Sequence, residues 1–234
     1  MNCVELFAGA GGAALGLEAA GISHLACVEY DADACATLRS AGLPCVEREG
    51  AKDERNGWPW TVDAIDRLKP EWFAAENVTG MLQHRYGCAS RCLGPEKCPR
   101  SYFDLVILEQ LRERFAWVGF RVLNASSFGV PQHRRRVIIV AGPRSIRFPE
   151  PTHGKPSGQR DLFGRGLLPW VTVGDALGID GFIRTEQLGA SASSVENPGP
   201  TVSGAGNIYS HAEDPGTRRR LDSPVARRLT VEEC

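Results

Sequence analysis

Short apolar runs alternate with amphipathic stretches through the first 143 residues. Residues 3–7 (Cys-Val-Glu-Leu-Phe) have the pattern of a short buried strand and run into Ala8-Gly9-Ala10-Gly11-Gly12. Residues 13–20 read as a helix ended by Gly21, residues 25–29 as a second strand, and residues 31–41 as a second helix running into Gly42. A helix is predicted over 61–69 and a strand over 71–75. A strongly periodic helix follows over 103–118, with Leu105, Ile107, Leu108, Leu111, Phe115 and Val118 apolar, and then a fully apolar strand over 137–141. Strands alternating with helices predict a parallel sheet covered on both faces.

The texture changes after Pro143. Residues 144–170 are rich in Pro, Gly and Arg and carry no period. A short helical patch at 173–178 follows, then a Gly/Ser/Pro-rich stretch over 189–206. The expected organisation is an α/β domain over 1–143, a loop-rich region over 144–215, and a return segment over 216–234. The chain has no internal repeats.

Composition narrows the class. With 42% hydrophobic residues in 234, the chain has material for one sizeable core and too much for a disordered chain. No apolar run approaches the ~20 residues that span a bilayer, and Met1-Asn2-Cys3-Val4-Glu5 is not a signal peptide, so a cytoplasmic protein with no membrane partner is expected. Eight irregularly spaced cysteines do not make a disulfide scaffold and fit a reducing compartment. Residues 1–120 carry 12 basic and 17 acidic side chains, and residues 121–234 carry 15 and 11. Of the 27 basic residues 23 are Arg, the side chain that pairs bidentately with phosphate and guanine, so the basic second half permits a nucleic-acid partner.

The glycine loop sits between a strand and a helix, where missing side chains let backbone approach a ligand. Glu29 ends the next strand, 17 residues after Gly12, placed to take the two hydroxyls of a ribose. Gly9-x-Gly11-x-x-Ala14 also satisfies the dinucleotide fingerprint, so NAD, FAD and S-adenosylmethionine all remain open on this motif alone.

Three motifs in order narrow the choice. Glu5-Leu6-Phe7-Ala8-Gly9-Ala10-Gly11-Gly12, Ala75-Glu76-Asn77-Val78, and Phe128-Gly129-Val130-Pro131-Gln132-His133-Arg134-Arg135-Arg136-Val137 resemble the cofactor loop, ENV motif and QxRxR motif of DNA cytosine-5 methyltransferases of bacterial or phage type. Arg228-Leu229-Thr230-Val231-Glu232-Glu233-Cys234 is similar to the segment after that family's target-recognition region. The resemblance implies a Rossmann-like S-adenosylmethionine-dependent methyltransferase domain with a small irregular target-recognition region. It places cofactor contacts on Phe7, Ala8, Gly9, Gly11, Gly12, Glu29, Tyr30 and Trp58, with Phe7 and Trp58 against the adenine. It also implies a reaction on double-stranded DNA. A cysteine thiolate adds to C6 of a flipped cytosine, C5 accepts the methyl group, and loss of the C5 proton eliminates the cysteine. Glu76 would bond the N3 and N4 edge, Arg136 the pyrimidine O2, and Arg134 and Gln132 the substrate and DNA backbone. Alternation along 132–136 puts Gln132, Arg134 and Arg136 on one side of an extended segment. A monomer is expected, as part of a restriction-modification system whose cognate endonuclease need not touch it.

The sequence departs from that pattern between Glu29 and Asp53. The family expects an acidic adenine contact and a Pro-Cys-Gln nucleophile there. Here Cys45-Val46-Glu47-Arg48-Glu49 runs straight across the interval, with the join placed near residues 47–48. Pro44-Cys45 is the one Pro-Cys dipeptide, but Val46 follows it, so Cys45 reads as an ordinary cysteine preceding a lost segment. A sheet lacking that strand would leave an open edge beside the cofactor loop. The chain also stops at Cys234, before the helix that in the family completes the cofactor pocket. Two readings of activity follow: a methyltransferase, or an inactive remnant that binds DNA or cofactor. A nicotinamide or flavin oxidoreductase is the third, and it leaves Glu76 and Arg136 without a role. Separately, His84, Cys88, Cys92 and Cys98 lie within 15 residues and offer enough ligands for a structural zinc, although the spacing is not a common zinc pattern.

Overall fold

The computed structural model describes residues 1–48, 57–82, 102–155, 166–185, 193–200, 209–212 and 226–228. These fall into two compact units, Met1–Pro70 and Glu71–Cys234. The candidate zinc ligands His84, Cys88, Cys92 and Cys98 lie outside the described residues.

The first unit follows the order β1 (Asn2–Leu6), α1 (Gly12–Ala19), β2 (Ser23–Glu29), α2 (Ala32–Ser40), β3 (Cys45–Glu47), α3 (Trp58–Leu68). Among the described residues its three strands are parallel in the order β1-β2-β3. Strand β3 escaped the sequence reading because three residues are too few to show a period. Helix α2 starts where the Asp31 side chain accepts the Ala34 N–H at 2.9 Å. Helix α3 begins three residues earlier than the periodicity suggests, because Pro59 in its first turn is already set for helix. The core of this unit is Ala8, Ala14, Cys27, Leu38 and Leu43, with Cys45 packed against it.

In the second unit β4 (Phe73–Val78), β5 (Trp117–Asn124) and β6 (Arg135–Gly142) form a sheet in the order β4-β6-β5. Strand β6 runs antiparallel to both neighbours, which corrects the all-parallel expectation. The physical reason is the connection: ten residues, 125–134, join β5 to β6, too few for the helical crossover that a parallel pair needs. The predicted helix over 103–118 is also shorter. A π-helical turn, Phe103–Leu108, leads into α4 (Glu109–Arg112), and Trp117 opens a strand. The aromatic and β-branched residues Trp117, Val118, Phe120 and Val122 suit a pleated surface better than a helix. Val137, Ile139 and Ala141 alternate along β6 with at most 1% exposure and form its core face.

Beyond β6 the chain is less irregular than its composition suggests. Strands β7 (His153–Gly154) and β8 (Leu168–Pro169) pair in parallel, and α5 (Val173–Leu177) is held by a reciprocal Thr172/Asp175 capping box. Strands β9 (Phe182–Thr185), β10 (Ser193–Ser194), β11 (Tyr209–Ala212) and β12 (Ala226–Arg228) form an antiparallel sheet in the order β10-β9-β11-β12. Strands of two to four residues cannot announce themselves by alternation, so sequence reasoning left this stretch as loop.

Candidate active site

In the first unit the glycine loop hangs on one carboxylate. Glu29, the last residue of β2, is 7% exposed. Its Oε2 accepts the Gly9 N–H at 2.7 Å, and its Oε1 accepts the Tyr30 and Asp31 N–H groups at 2.7 and 3.0 Å. The Ala8 N–H meanwhile donates to the Val28 carbonyl at 3.2 Å, so the loop is tied to β2 at two points. A carboxylate offers about four acceptor positions. Three are filled from the backbone, which leaves one on Oε2. Glu29 therefore shapes the loop before it meets any ligand. Tyr30 takes part through its N–H, and its side chain is exposed.

Two glycines matter for different reasons. Gly11 has φ +90, and a Cβ there would lie 2.9 Å from Leu38 Cδ2 and 3.0 Å from Leu43 Cδ1, so the loop packs onto α2 only because the position is bare. Gly57, just before α3, has an ordinary φ, but a Cβ on it would come within 2.7 Å of Phe7 Cζ. The Phe7 ring thus rests on the Gly57 backbone, next to half-buried Trp58. Phe7 itself holds φ +58, a left-handed backbone that costs a side-chain-bearing residue on the order of 1–3 kcal/mol. It remains 56% exposed, so the loop spends that strain on presenting an aromatic face. Open space surrounds the positions where Gly9 and Gly12 would carry a Cβ, with nothing within 4 Å. Sequence reasoning missed Gly57; the Asn56-Gly57 dipeptide ahead of a helix was the available signal.

Cys45 lies on β3, in register with Cys27 of β2, and β2 separates it from β1. It packs on the core cluster. The neighbouring Cys35 thiol is pushed up to about 11, by burial first and then by its hydrogen bond with Cys45.

In the second unit Glu76 and the two arginines meet. Register pairs Val78 of β4 with Arg136 of β6, which carries the Arg136 side chain to the Glu76 carboxylate. Arg136 Nε lies 2.6 Å from Glu76 Oε1, and Arg134 Nη2 lies 3.8 Å from the same oxygen. Both cations make their closest approach to Glu76 at Oε1. Arg136 is 17% exposed and Glu76 49%, so the pair is anchored on the arginine side and open on the carboxylate side. The residue between the arginines' predecessors points elsewhere: His133 Nδ1 lies 2.9 Å from the buried Ser126 Oγ, and its ring packs edge-on to Trp170 with centroids 4.9 Å apart. Gln132 is fixed through its backbone, which bridges to Gly199, while the His133 N–H donates to the Gly199 carbonyl at 2.7 Å.

One unit is a parallel β-α-β arrangement with a glycine loop pinned by the strand-end carboxylate, and the other carries strands ending in a carboxylate–guanidinium pair; these are features of a Rossmann-like α/β fold of the methyltransferase class. The C-5 cytosine-specific DNA methylase family matches residues 1–42 and 40–160, and this chain belongs to it. It is 29% identical to the Type II methyltransferase M.NaeI of Lentzea aerocolonigenes over 94% of this chain and 56% of that protein. To the Type II methyltransferase M.AquIA of a Picosynechococcus species it is 33% identical, over 74% of this chain and 86% of that protein. Among solved structures it is similar to a putative DNA modification methyltransferase encoded within an E. coli prophage, at 18% identity and a TM-score of 0.47, covering 80% of this chain and 58% of that one. The chain thus spans little more than half the length of M.NaeI. Among the described residues, no helix is long and apolar enough to cross a membrane.

Proposed function

We propose that this chain takes part in S-adenosylmethionine-dependent methylation of C5 of cytosine in double-stranded DNA. The single observation that carries the reading is the Glu76 carboxylate, held at 2.6 Å by Arg136 and 49% exposed, in a chain of the cytosine-5 methylase family. That arrangement suits the hydrogen-bonding edge of a flipped cytosine, with Oε2 toward N3 and N4. Arg136 fixes the carboxylate and sits close enough to address the pyrimidine O2, while the more exposed Arg134 suits a phosphate or the substrate backbone.

The first unit fits the cofactor. The open backbone over Gly9 and Gly12 admits close approach, the remaining acceptor position on Glu29 Oε2 suits one ribose hydroxyl, and the exposed Phe7 ring suits an adenine face. The first turn of α1, whose N-cap Gly11 brings no side-chain partner, leaves N–H donors for a carboxylate. When bound, S-adenosylmethionine supplies a methyl group on a sulfonium. Family membership also favours this cofactor over the nicotinamide or flavin that the glycine pattern alone leaves open.

The nucleophile is the open part of the site. The family match in two segments meeting at residues 40–42 supports an interruption close to where the Pro-Cys-Gln segment is missing. Cys45, packed on the core and hydrogen-bonded with the free Cys35 thiol, has the surroundings of a structural thiol. The test is to bind S-adenosylmethionine and NAD to the purified chain by calorimetry, then to incubate it with S-adenosylmethionine and duplex DNA carrying 5-fluorocytosine, which blocks elimination and traps the thiol on C6. Binding of S-adenosylmethionine without NAD, with capture of an adduct, supports methylation by this chain. Cofactor binding without an adduct removes the complete reaction from this polypeptide, and preferential NAD binding overturns the reading.

A further inference from the structure

On β1 and β2 lies a cluster that the proposed reaction does not use. Glu5 of β1 and His24 and Cys27 of β2 each bring one carboxylate oxygen, ring nitrogen or sulfur to within 4.8 Å of the others. Residues three apart on a regular strand face opposite sides of a sheet. Here the register slips between Cys3/His24 and Val4/Ala26, so Leu25 is an extra residue on β2, 64% exposed, and His24 is re-aimed to the same face as Cys27.

The cluster is buried and unsatisfied. The His24 side chain is fully buried, Cys27 has no exposure, and the Glu5 side chain is 16% exposed. Glu5 Oε2 and both ring nitrogens of His24 lack an aligned hydrogen-bond partner, although His24 Nε2 lies only 3.2 Å from Glu5 Oε2. Glu5 Oε2 and His24 Nε2 face each other as a buried ion pair, and His24 Nδ1 is the ring atom left without a close hydrogen-bond partner. His24 Nδ1 points toward Glu18 Oε1, 3.9 Å away on α1, the position of the outer carboxylate that commonly orients a metal-bound imidazole.

We infer that Glu5, His24 and Cys27 form a binding site for a borderline-soft divalent cation of the zinc type. Thiolate, imidazole and carboxylate are the three ligand types that zinc accepts together, and three protein ligands leave a fourth position to water or another group. Cys3, the register partner of His24 and half-buried, is a further thiol on the same pair of strands. The bound cation would lock β1 and β2 together, on the strands that lead into the glycine loop and into Glu29.

The full chain, freed of metal by chelation, is titrated with Co2+ and then displaced with Zn2+, following the thiolate-to-cobalt charge-transfer band and the visible bands of tetrahedral cobalt. Because Cys88, Cys92 and Cys98 are also available in the sequence, Cys27→Ser and Glu5→Gln are compared with Cys92→Ser. The expected result is one equivalent whose charge-transfer band disappears in Cys27→Ser. Its affinity falls at least ~10-fold in Glu5→Gln, the lower end of what even outer-shell changes cost, and is unchanged in Cys92→Ser. Should Cys27→Ser fail to fold by circular dichroism, the near-isosteric Glu5→Gln carries the comparison. Absence of a cobalt–thiolate band, or a band that Cys92→Ser removes and Glu5→Gln leaves at full affinity, overturns the site and leaves Glu5–His24 a buried ion pair.

Discussion

Arg136 Nε sits 2.6 Å from Glu76 Oε1 across adjacent antiparallel strands, and Arg134 reaches the same oxygen from 3.8 Å. The contact positions a carboxylate more than it stabilises a fold. With Glu76 half exposed, its contribution to stability falls in the range of about 0–1 kcal/mol. Arg136→Ala should therefore unfold in urea within about 1 kcal/mol of the parent. In any preparation that methylates DNA, Glu76→Gln should lower turnover on the order of 100-fold or more while DNA affinity holds within about threefold. Equal losses in rate and affinity would instead make Glu76 a DNA-binding group.

Glu29 presents a different case, because its oxygens meet three backbone donors. Glu29→Gln should cost about 2 kcal/mol of stability, since either orientation of the amide sets an NH2 against at least one of the Gly9, Tyr30 and Asp31 N–H groups. S-adenosylmethionine affinity should fall with it. Chemical denaturation and calorimetry on the same variant check both; a stable variant that merely loses cofactor would mean that Glu29 does not organise the loop.

Gly57→Ala separates loop shape from stability. Its φ of −74 accepts alanine, so stability should change by less than about 1 kcal/mol, but the new methyl group must displace the Phe7 ring. Cofactor binding is expected to weaken about tenfold, a change of 1.4 kcal/mol. Unaltered binding would remove the Phe7 ring from the cofactor site.

Cys35 predicts an alkaline limit. Its thiol is pushed from 9.0 to about 11 in the folded chain, by burial and by the Cys45 hydrogen bond. The folded state then holds a proton that the unfolded state releases, so this contribution is intact below pH 9 and is lost as pH rises from about 9 through 11. The urea midpoint of the parent should fall more steeply than that of Cys35→Ala between pH 8.5 and pH 10.5. Parallel slopes would mean that the thiol is not protected by folding.

The order of chemistry along the chain is legible in the residues before any fold is known. Gly9, Gly11 and Gly12 announced a loop where backbone is bare, Glu29 an acid at a strand end, and the alternation over 132–136 the two arginines that converge on Glu76, because each of these signals is local and periodic. The tertiary structure alone decided the rest. That Glu29 spends three acceptor positions on backbone, that Phe7 lies on Gly57 fifty residues away, and that β6 runs against its neighbours all depend on which segments pack together. The slipped register that turns His24 toward Glu5 and Cys27 belongs with them: one extra residue in a strand leaves hydrophobicity almost unchanged, yet it reverses which face a side chain occupies.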